Sequence, residues 1–501
     1  MAEYDLAIIG GGINGTGLAR DAAGRGLRVL LVEMNDLASG SSSASSKMIH
    51  GGLRDLEHGA IRWVREALAE REVLLRVAPH LVQPLRLLLP VALHGSSPLV
   101  LRCGLLLYDL LGARRLLPRS RVVDLTHHPW AGLLKRSLRL GFEFSDCWVD
   151  DSRLVVLNAL DAAERGAVIR TRTRLVRAER GEAWTLILNR RGRREQTSAR
   201  ILVNATGPWI GVVAETAIRV PLATPARLVK GSHIVVRRRL ERDRGFLLQA
   251  RDGHVVFMVP LAEDFTLIGP TDRVFVGDLA APAPSFEEIC YLCETVNDYF
   301  RDKVTPDEVI WSFAGVRALY DDGAGKPEGI TRDDHVVALD APASSAPLLT
   351  IYGGRITTYR RLAEVAMTRI APFVAARAPW TATGALPGGN FAPDRLAEQV
   401  AEAMQRWPFL SESHATRLVH AYGSRVERIL GDARRIDDLG VRFTSDLTAA
   451  EVRYLVDQEW AETAEDVLWR RSKLGLTATE AEVAVLAQFL SGLRAEKVAR
   501  C

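Results

Sequence analysis

Gly10, Gly12 and Gly15 stand at the spacing G-x-G-x-x-G, and a carboxylate, Glu33, follows them. These residue types in this order can bind a dinucleotide. The first glycine permits a tight turn, the second lets the backbone approach a pyrophosphate, and the third lets a helix pack on a strand. The start of that helix offers free N–H donors and the positive end of its dipole to the phosphates. Glu33 can accept hydrogen bonds from the adenosine ribose. The motif serves NAD and FAD alike. A glycine-rich turn with no ligand is the bland alternative, and the ordered run of strand, glycines, helix, strand and acid makes it the weaker one.

A second stretch, SSSASSKMIHGGLRDLEHG from Ser41 to Gly59, opens like a flexible linker. It then turns to histidine, paired glycines and an arginine. An NAD protein of the usual kind would continue past Glu33 with alternating strands and helices. The serine-glycine stretch in their place points to a flavin.

Elements must hold these residues in place. YDLAIIG reads as a buried strand, GLARDAAGRG as a helix and RVLLVEM as a second strand. AIRWVREALAEREVLLRVAPH reads as a long helix ended by Pro79, and Asp150 or Asp151 can cap the helix that follows. ILVNATGPW is a strand running into a glycine turn. From about Ala223 to Asp340 the pattern is β-rich, with SHIVVRR, HVVFMVP and FTLIGPTD as strands. LLTIYGG and the helix after it return to the nucleotide unit. GALPGGNFAPD, residues 384–394, reads as a linker, and everything beyond it as helical. Thr448 to Glu451 and Thr479 to Glu482 fit capping boxes.

The expected class is therefore α/β and α+β. Residues 1–80, 146–222 and 341–383 form a Rossmann-like FAD-binding domain. Residues 81–145 are a mixed cap with a candidate membrane contact, 223–340 an inserted β-sheet substrate domain, and 395–501 an all-helical C-terminal domain.

The totals agree with several domains. The chain has 501 residues, too many for one ordinary core. Its net charge of +4 is too small to argue for nucleic acid. Five cysteines make no disulfide framework, and the lone CxxC at Cys290 and Cys293 lacks the partners of a zinc site, so no metal is expected. The N-terminus has no basic region of a secretory signal. Between Leu81 and Gly112 the most apolar region is broken by Pro84, Arg86, Pro90 and Arg102, well short of the ~20 apolar residues of a membrane span.

Across nearly its whole length the chain resembles the FAD-dependent respiratory glycerol-3-phosphate dehydrogenases. The motifs that carry the resemblance are GGGINGTGLARDAAGRGL, SSASSKMIHGGLRDLEHG, EALAEREVLL, FEFSDCWVDDSRL, NATGPW, KGSHIVV, GGRITTYRRLAE and TAEDVLWRRSKLGL. The resemblance implies a fold like that of glycine and D-amino-acid oxidases. It implies oxidation of sn-glycerol 3-phosphate to dihydroxyacetone phosphate, with electrons passing through FAD to a membrane quinone. It places the protein peripherally on the cytoplasmic face of the inner membrane, with neither signal peptide nor transmembrane helix, and a homodimer is possible. The interface candidates are the stretch from Leu85 to Arg121 and the basic helix TTYRRLAEVAMTRIAPFVAARAPW. The alternatives are an oxidase of the same family that passes electrons to oxygen, an amine or amino-acid oxidase, and a non-catalytic FAD-containing assembly protein.

Oxidising a secondary alcohol requires a base for the hydroxyl proton while a hydride leaves carbon for the flavin N5. A phosphorylated substrate also requires cations, preferably arginine forks. Against the family pattern, Arg54, Arg317, Arg332 and Arg355 are expected around the phosphate, with Lys230 holding substrate or flavin. Among the catalytic candidates, which include Arg317, His233 is preferred as the base, and His50 is placed against the flavin. Gly10, Gly12, Asn14, Gly15 and Glu33 are assigned to the adenosine diphosphate. Ser45, Ser46, Lys47, Gly51 and Gly52 are assigned to the pyrophosphate, ribityl chain and ring, and Thr206 and Gly207 to a second contact. Gly354, Thr357 and Thr358 are placed at the pyrimidine oxygens. The chain departs from the family pattern at Asp55 (usually Tyr), Pro270 (usually Thr), Arg355 (often Lys) and Ala318 (GVRAL for GVRPL).

Overall fold

The computed structural model describes residues 2–92, 95–112, 116–238, 240–262, 264–321 and 335–499. Its first layer is a sheet with five parallel strands in the order Leu348–Gly353, Arg193–Asn204, Tyr4–Ile9, Val29–Val32 and Val168–Arg170. Tyr4–Ile9, Val29–Val32 and Leu348–Gly353 read as apolar runs because both faces are covered. Helices Ile13–Gly24, Asp151–Glu164 and Tyr359–Ile370 pack together against one face. Thr173–Arg180 and Trp184–Arg190 lead into Arg193–Asn204 as an antiparallel meander. After Tyr4–Ile9 the chain crosses to one neighbour, while Arg193–Asn204 lies on the other side. That divergence is a topological switch point, where open α/β sheets bind ligands.

The second layer is a larger mixed sheet. Ala226–Val236 pairs along one edge with Val309–Tyr320 and along the other with Phe265–Gly269 and Arg273–Val274. The sheet continues through Val255–Ala262, Arg244–Gln249, Val82–Pro90, Leu140–Val149 and Met48–Ile49. Segments from both sides of the expected boundary at residue 80 therefore join this sheet. Residues 81–145 are not a piece apart, because Val82–Pro90 and Leu140–Val149 pair along nearly their whole length. Arg86, one of the residues that interrupts the apolar run, finds Glu143 and Ser145 across that ladder.

The C-terminal unit is helical around Leu418, Tyr422, Leu447, Val452, Leu455 and Leu486. Thr479 and Glu482 close a reciprocal cap. At Thr448 only the hydroxyl half forms, because Arg417 and Tyr422 hold the Glu451 carboxylate. The expected linker at 384–394 is a packed connection in its first half. Leu386 to Gly389 are buried, and Gly388 and Gly423 touch backbone to backbone, so that a Cβ on Gly388 would lie 2.1 Å from the Tyr422 carbonyl oxygen. Only glycine fits there. Buried ion pairs tie this unit to the sheet layers: Arg153 with Glu459, and Arg470 and Arg471 with Asp36.

Candidate functional site

A cavity of about 1300 Å³ opens between the two sheets. It exceeds the roughly 300–1,000 Å³ of most small-ligand sites, which suits a dinucleotide together with a substrate. Gly10, Gly12, Asn14 and Glu33 line one end, and Arg54, His254, Asp272 and Arg317 line another part.

At the glycine end the backbone makes the site. Gly10 has φ +115°, and a Cβ on it would lie 2.4 Å from the Ala205 carbonyl oxygen. A Cβ on Gly15 would lie 1.9 Å from the Gly10 carbonyl oxygen, so Gly15 seats the helix under the turn instead of lining the cavity. The helix Ile13–Gly24 has no side-chain cap on its N-cap residue. Glu33 accepts from the Gly11 and Asn35 N–H groups, each at 2.7 Å, and burial raises its pKa. The Asn14 amide nitrogen donates to the Gly353 carbonyl oxygen, while its buried Oδ1 has no partner among the described residues. Thr206, Gly207, Gly354 and Thr357 complete the lining. A bare glycine turn, a positioned carboxylate and an orphaned amide oxygen fit a dinucleotide; the Ile13 N–H at the helix start is taken by the Ser42 hydroxyl at 3.0 Å.

Ser45, Ser46, His50 and Gly52 also line the cavity; Lys47, Gly51 and Thr358 do not. Lys47 turns away because Asp151, at the start of the helix behind it, takes its Nζ at 2.7 Å and the Ser45 hydroxyl at 2.8 Å. Gly51 donates to the Tyr108 hydroxyl at 2.7 Å and gives room to Leu68. Thr358 is buried at the start of its helix.

Strand periodicity sorts the candidates on Ala226–Val236. Arg227, Val229, Gly231 and His233 face the cavity, as alternate residues of a strand must. Lys230 faces the other way, donating to Glu288 at 2.7 Å and the Ala283 carbonyl oxygen at 3.0 Å, and so cannot hold substrate in this cavity. His233 stacks on Phe313 with ring centroids 5.0 Å apart, and its Nε2 lies 2.9 Å from the Ser46 hydroxyl. Its Nδ1 is buried with no partner among the described residues. Burial first, then the Lys47 charge, lowers its pKa to about 3. His50 is also held below its ordinary value, chiefly by burial. Its Nδ1 accepts from the Gly52 N–H at 3.1 Å, and its ring lies against Phe257.

The arginines are distributed in pairs. Arg317 donates to Asp272 at 2.9 Å, and Arg355 donates to Asp55 at 2.7 Å. Arg54 lies 3.2 Å from Nδ1 of His254. Arginine only donates, so that Nδ1 accepts and the imidazole proton sits on Nε2. Burial, with Arg54 assisting and Asp272 opposing, keeps His254 below its ordinary pKa. Arg332 lies outside the described residues. Sequence reasoning passed over His254 and Asp272. The available signals were a solitary histidine after the Asp252-Gly253 turn and an acid directly after FTLIGPT.

A family model described as FAD dependent oxidoreductase matches residues 5–360. One described as the C-terminal domain of alpha-glycerophosphate oxidase matches residues 379–497. A glycerol-3-phosphate dehydrogenase of Pseudomonas aeruginosa is 48% identical over 98% of this chain and 96% of its own length. A D-erythritol 1-phosphate dehydrogenase of Brucella abortus is 44% identical over 98% of both. Among solved structures, the glycerol-3-phosphate dehydrogenase of Bacillus halodurans complexed with FAD superposes with a TM-score of 0.73 at 26% identity, covering 99% of this chain and 95% of that one.

Proposed function

The chain belongs to the FAD-dependent oxidoreductase family, and on that premise we propose that it oxidises sn-glycerol 3-phosphate to dihydroxyacetone phosphate and delivers the electrons to a membrane quinone. The observation that carries the reading is one cavity lined both by the glycine-turn residues and by an arginine–histidine cluster. Bound FAD supplies the acceptor for the hydride that leaves the alcohol carbon.

The chain's own residues do the rest. Gly10, Gly12 and the start of the helix Ile13–Gly24 hold the pyrophosphate, and Glu33 holds the ribose. Arg54 and Arg317 bind the substrate phosphate, with Asp272 and His254 fixing the two guanidiniums by the bonds described above. Arg54 contributes the uncompensated positive charge of that group, since the neutral His254 balances none of it. His233 accepts the hydroxyl proton. It is unprotonated at any working pH, and a dianionic phosphate beside Arg317 opposes the cationic field that lowers its basicity. His50, which lines the same cavity, would be among the residues that hold the flavin.

Anaerobic addition of sn-glycerol 3-phosphate to the FAD-loaded protein tests this. The flavin absorbance should bleach at once, and its persistence would sink the proposal. Quinone-dye reduction should outrun oxygen uptake; the reverse would make the protein an oxidase.

Access to a quinone requires a bilayer contact. The helix Tyr359–Ile370 does not supply it, because Leu362, Ala363, Ala366, Met367 and Ile370 are spent in the core. Among the described residues no helix is long and apolar enough to cross a membrane. The helix Pro98–Leu111 instead buries Leu101, Leu105 and Tyr108 and exposes Leu99, Leu106 and Leu110, at 71%, 50% and 82%. With Arg102 and Arg119 exposed nearby, this face suits the surface of an anionic bilayer. Cell fractionation should recover the protein with membranes, and Leu106→Asp with Leu110→Asp should release it with dye-linked activity retained. Purely soluble recovery of the parent protein would remove this part of the reading.

A further inference from the structure

The cavity carries charge in two clusters, and a phosphate accounts for only one. Arg54, His254, Arg317 and Asp272 form the first. Its members act on one another, since Asp272, Arg54 and Arg317 all bear on the His254 pKa. The second is the Asp55–Arg355 pair, 2.7 Å apart, which flanks Gly52, the residue whose N–H donates to His50. Asp55 and Arg355 both line the cavity, with side chains 12% and 31% exposed.

This pair is built into the site. Gly52 has φ +74°, and a Cβ there would lie 2.3 Å from Asp55 Oδ2 and 3.0 Å from Arg355 Nη1. The bare backbone thus makes room for the ion pair next to the flavin-loop histidine. Its chemistry differs from that of the first cluster. A carboxylate repels phosphate oxygens and accepts hydrogen bonds from hydroxyls, and the Asp55–Arg355 pair carries no net charge to attract a dianion, whereas the first cluster keeps the Arg54 charge beyond its Arg317–Asp272 pair. Set side by side, the two offer an acceptor and donors, which match the donor and acceptor of neighbouring hydroxyls.

We propose that Asp55 and Arg355 bind hydroxyls carried beyond the oxidised carbon, and that alditol phosphates of four or more carbons are substrates. This rests on the assignment of the cavity to phosphorylated alcohols. The phosphate lies at Arg54 and Arg317, and the polyol tail reaches Asp55 and Arg355. The reaction is the same two-electron oxidation, the secondary alcohol losing a proton and a hydride and becoming a ketose phosphate. Glycerol 3-phosphate places one hydroxyl beyond the oxidised carbon and so engages the pair partly; a four-carbon alditol phosphate places two. A site built to hydrogen-bond a hydroxyl discriminates strongly against substrates that lack it.

The test uses the FAD-loaded full chain with a dye acceptor. kcat/KM is measured for sn-glycerol 3-phosphate and for the stereoisomeric four-carbon and five-carbon alditol 1-phosphates. At least one four-carbon compound should match or exceed glycerol 3-phosphate. Asp55→Asn should lower the four-carbon to three-carbon ratio by about tenfold, the loss expected for one hydroxyl contact to a charged acceptor. Asp55→Asn with Arg355→Gln, which removes both charges together, should lower it similarly. Flavin absorbance and Tm confirm that each variant is folded, and should a variant lose flavin the ratio in the parent protein still decides. Turnover of glycerol 3-phosphate with none of the longer compounds, or a ratio unmoved by either variant, overturns the proposal. If no phosphorylated alcohol bleaches the flavin, the cavity assignment itself has failed, a result distinct from either of those.

Discussion

The two ends of the cavity are built by different means. At the end assigned to the adenosine, main chain makes most of the site: a left-handed glycine, a helix start whose N-cap Gly12 carries no side chain, and one carboxylate held by the N–H groups of Gly11 in the glycine turn and of Asn35 in its own loop. At the substrate end, side chains from distant segments meet in pairs: Arg54 with His254, Arg317 with Asp272, and Arg355 with Asp55. A main-chain site cannot be retuned without breaking the fold, because its geometry is that of the turn. A paired site can be retuned by exchanging partners while the fold stays intact. On the proposed reading, that difference makes the cofactor end rigid and leaves specificity to be set at the substrate end.

The largest expected effect comes from adding one carbon at the rigid end. Gly15→Ala places a Cβ 1.9 Å from the Gly10 carbonyl oxygen. Neither atom is the tip of a flexible side chain, so the helix must move off the strand. The protein should purify without flavin and with turnover below detection. Gly192→Ala is the control. It has φ +86° but nothing within 4 Å of the new Cβ, so the cost is about 1 kcal/mol of backbone strain, and the flavin should stay. Flavin retained at full occupancy in Gly15→Ala would break the contrast between the two ends.

Next come the phosphate cations. Arg317→Ala removes a charged donor and leaves Asp272 as an unbalanced negative charge where the dianion is proposed to bind. Charge-assisted hydrogen bonds are worth about 1.5–3 kcal/mol, and the stranded carboxylate adds to that. kcat/KM should fall by about 10²–10³-fold with the flavin spectrum unchanged. Arg317→Ala with Asp272→Asn should recover part of the loss, because the repulsion goes with the carboxylate. A double variant no better than the single one would mean that the pairing is incidental.

The same contrast explains what was legible in the sequence. Gly10, Gly12, Gly15 and Glu33 are local, and their spacing states their use. Pairs are not local: Arg355 meets a residue 300 positions away, and Arg54 one 200 away. Single-sequence spacing cannot indicate such meetings, so His254 and Asp272 passed unremarked and Asp55 read as an isolated acid beside a phosphate. Lys230 and Lys47 were misplaced for a related reason. A basic residue in a motif is not a basic residue in the cavity; strand alternation turned Lys230 outward, and Asp151 captured Lys47. At the level of the fold, 81–145 looked separate because prolines and arginines break its apolar run. The partners that make those breaks tolerable, such as Glu143 for Arg86, lie across the ladder.

A smaller effect is expected behind the cavity, where the C-terminal unit reaches its wall. Lys473 donates to the Ser152 hydroxyl and the Trp469 carbonyl oxygen, each at 2.7 Å. Burial, then the neighbouring Lys47 charge, lowers its pKa to about 8. Between about pH 8 and the ordinary lysine value the unfolded chain holds the proton that the folded chain has released. Stability therefore gains with pH across that window. Lys473→Met should flatten this slope in Tm measured from pH 8 to 10 and cost about 1–3 kcal/mol for the lost bonds. An unchanged slope would show that the lysine charge is carried at no cost in the fold.

The smallest expected effect is an absence of one, and it bears on the proposed base. His233 has its pKa at about 3, and His254 is likewise held below its ordinary value. In the free enzyme His233 is therefore already a proton acceptor throughout pH 5–8, and kcat/KM should show no acid limb from it. A loss of rate below about pH 6 should follow the second ionisation of the substrate phosphate, which lies near 6, and should be the same in His254→Gln. The fold should respond where the rate does not. His233 and His80, both lowered to about 3 by burial, stay neutral while the unfolded chain takes up protons below the ordinary histidine value. Stability must therefore decline as pH falls from about 6.5 towards 3. Tm at pH 5 should be lower than at pH 7 even where kcat/KM, corrected for the phosphate, is level. A histidine-like acid limb that remains after that correction would move the base away from His233, to a group less deeply buried in the paired half of the cavity.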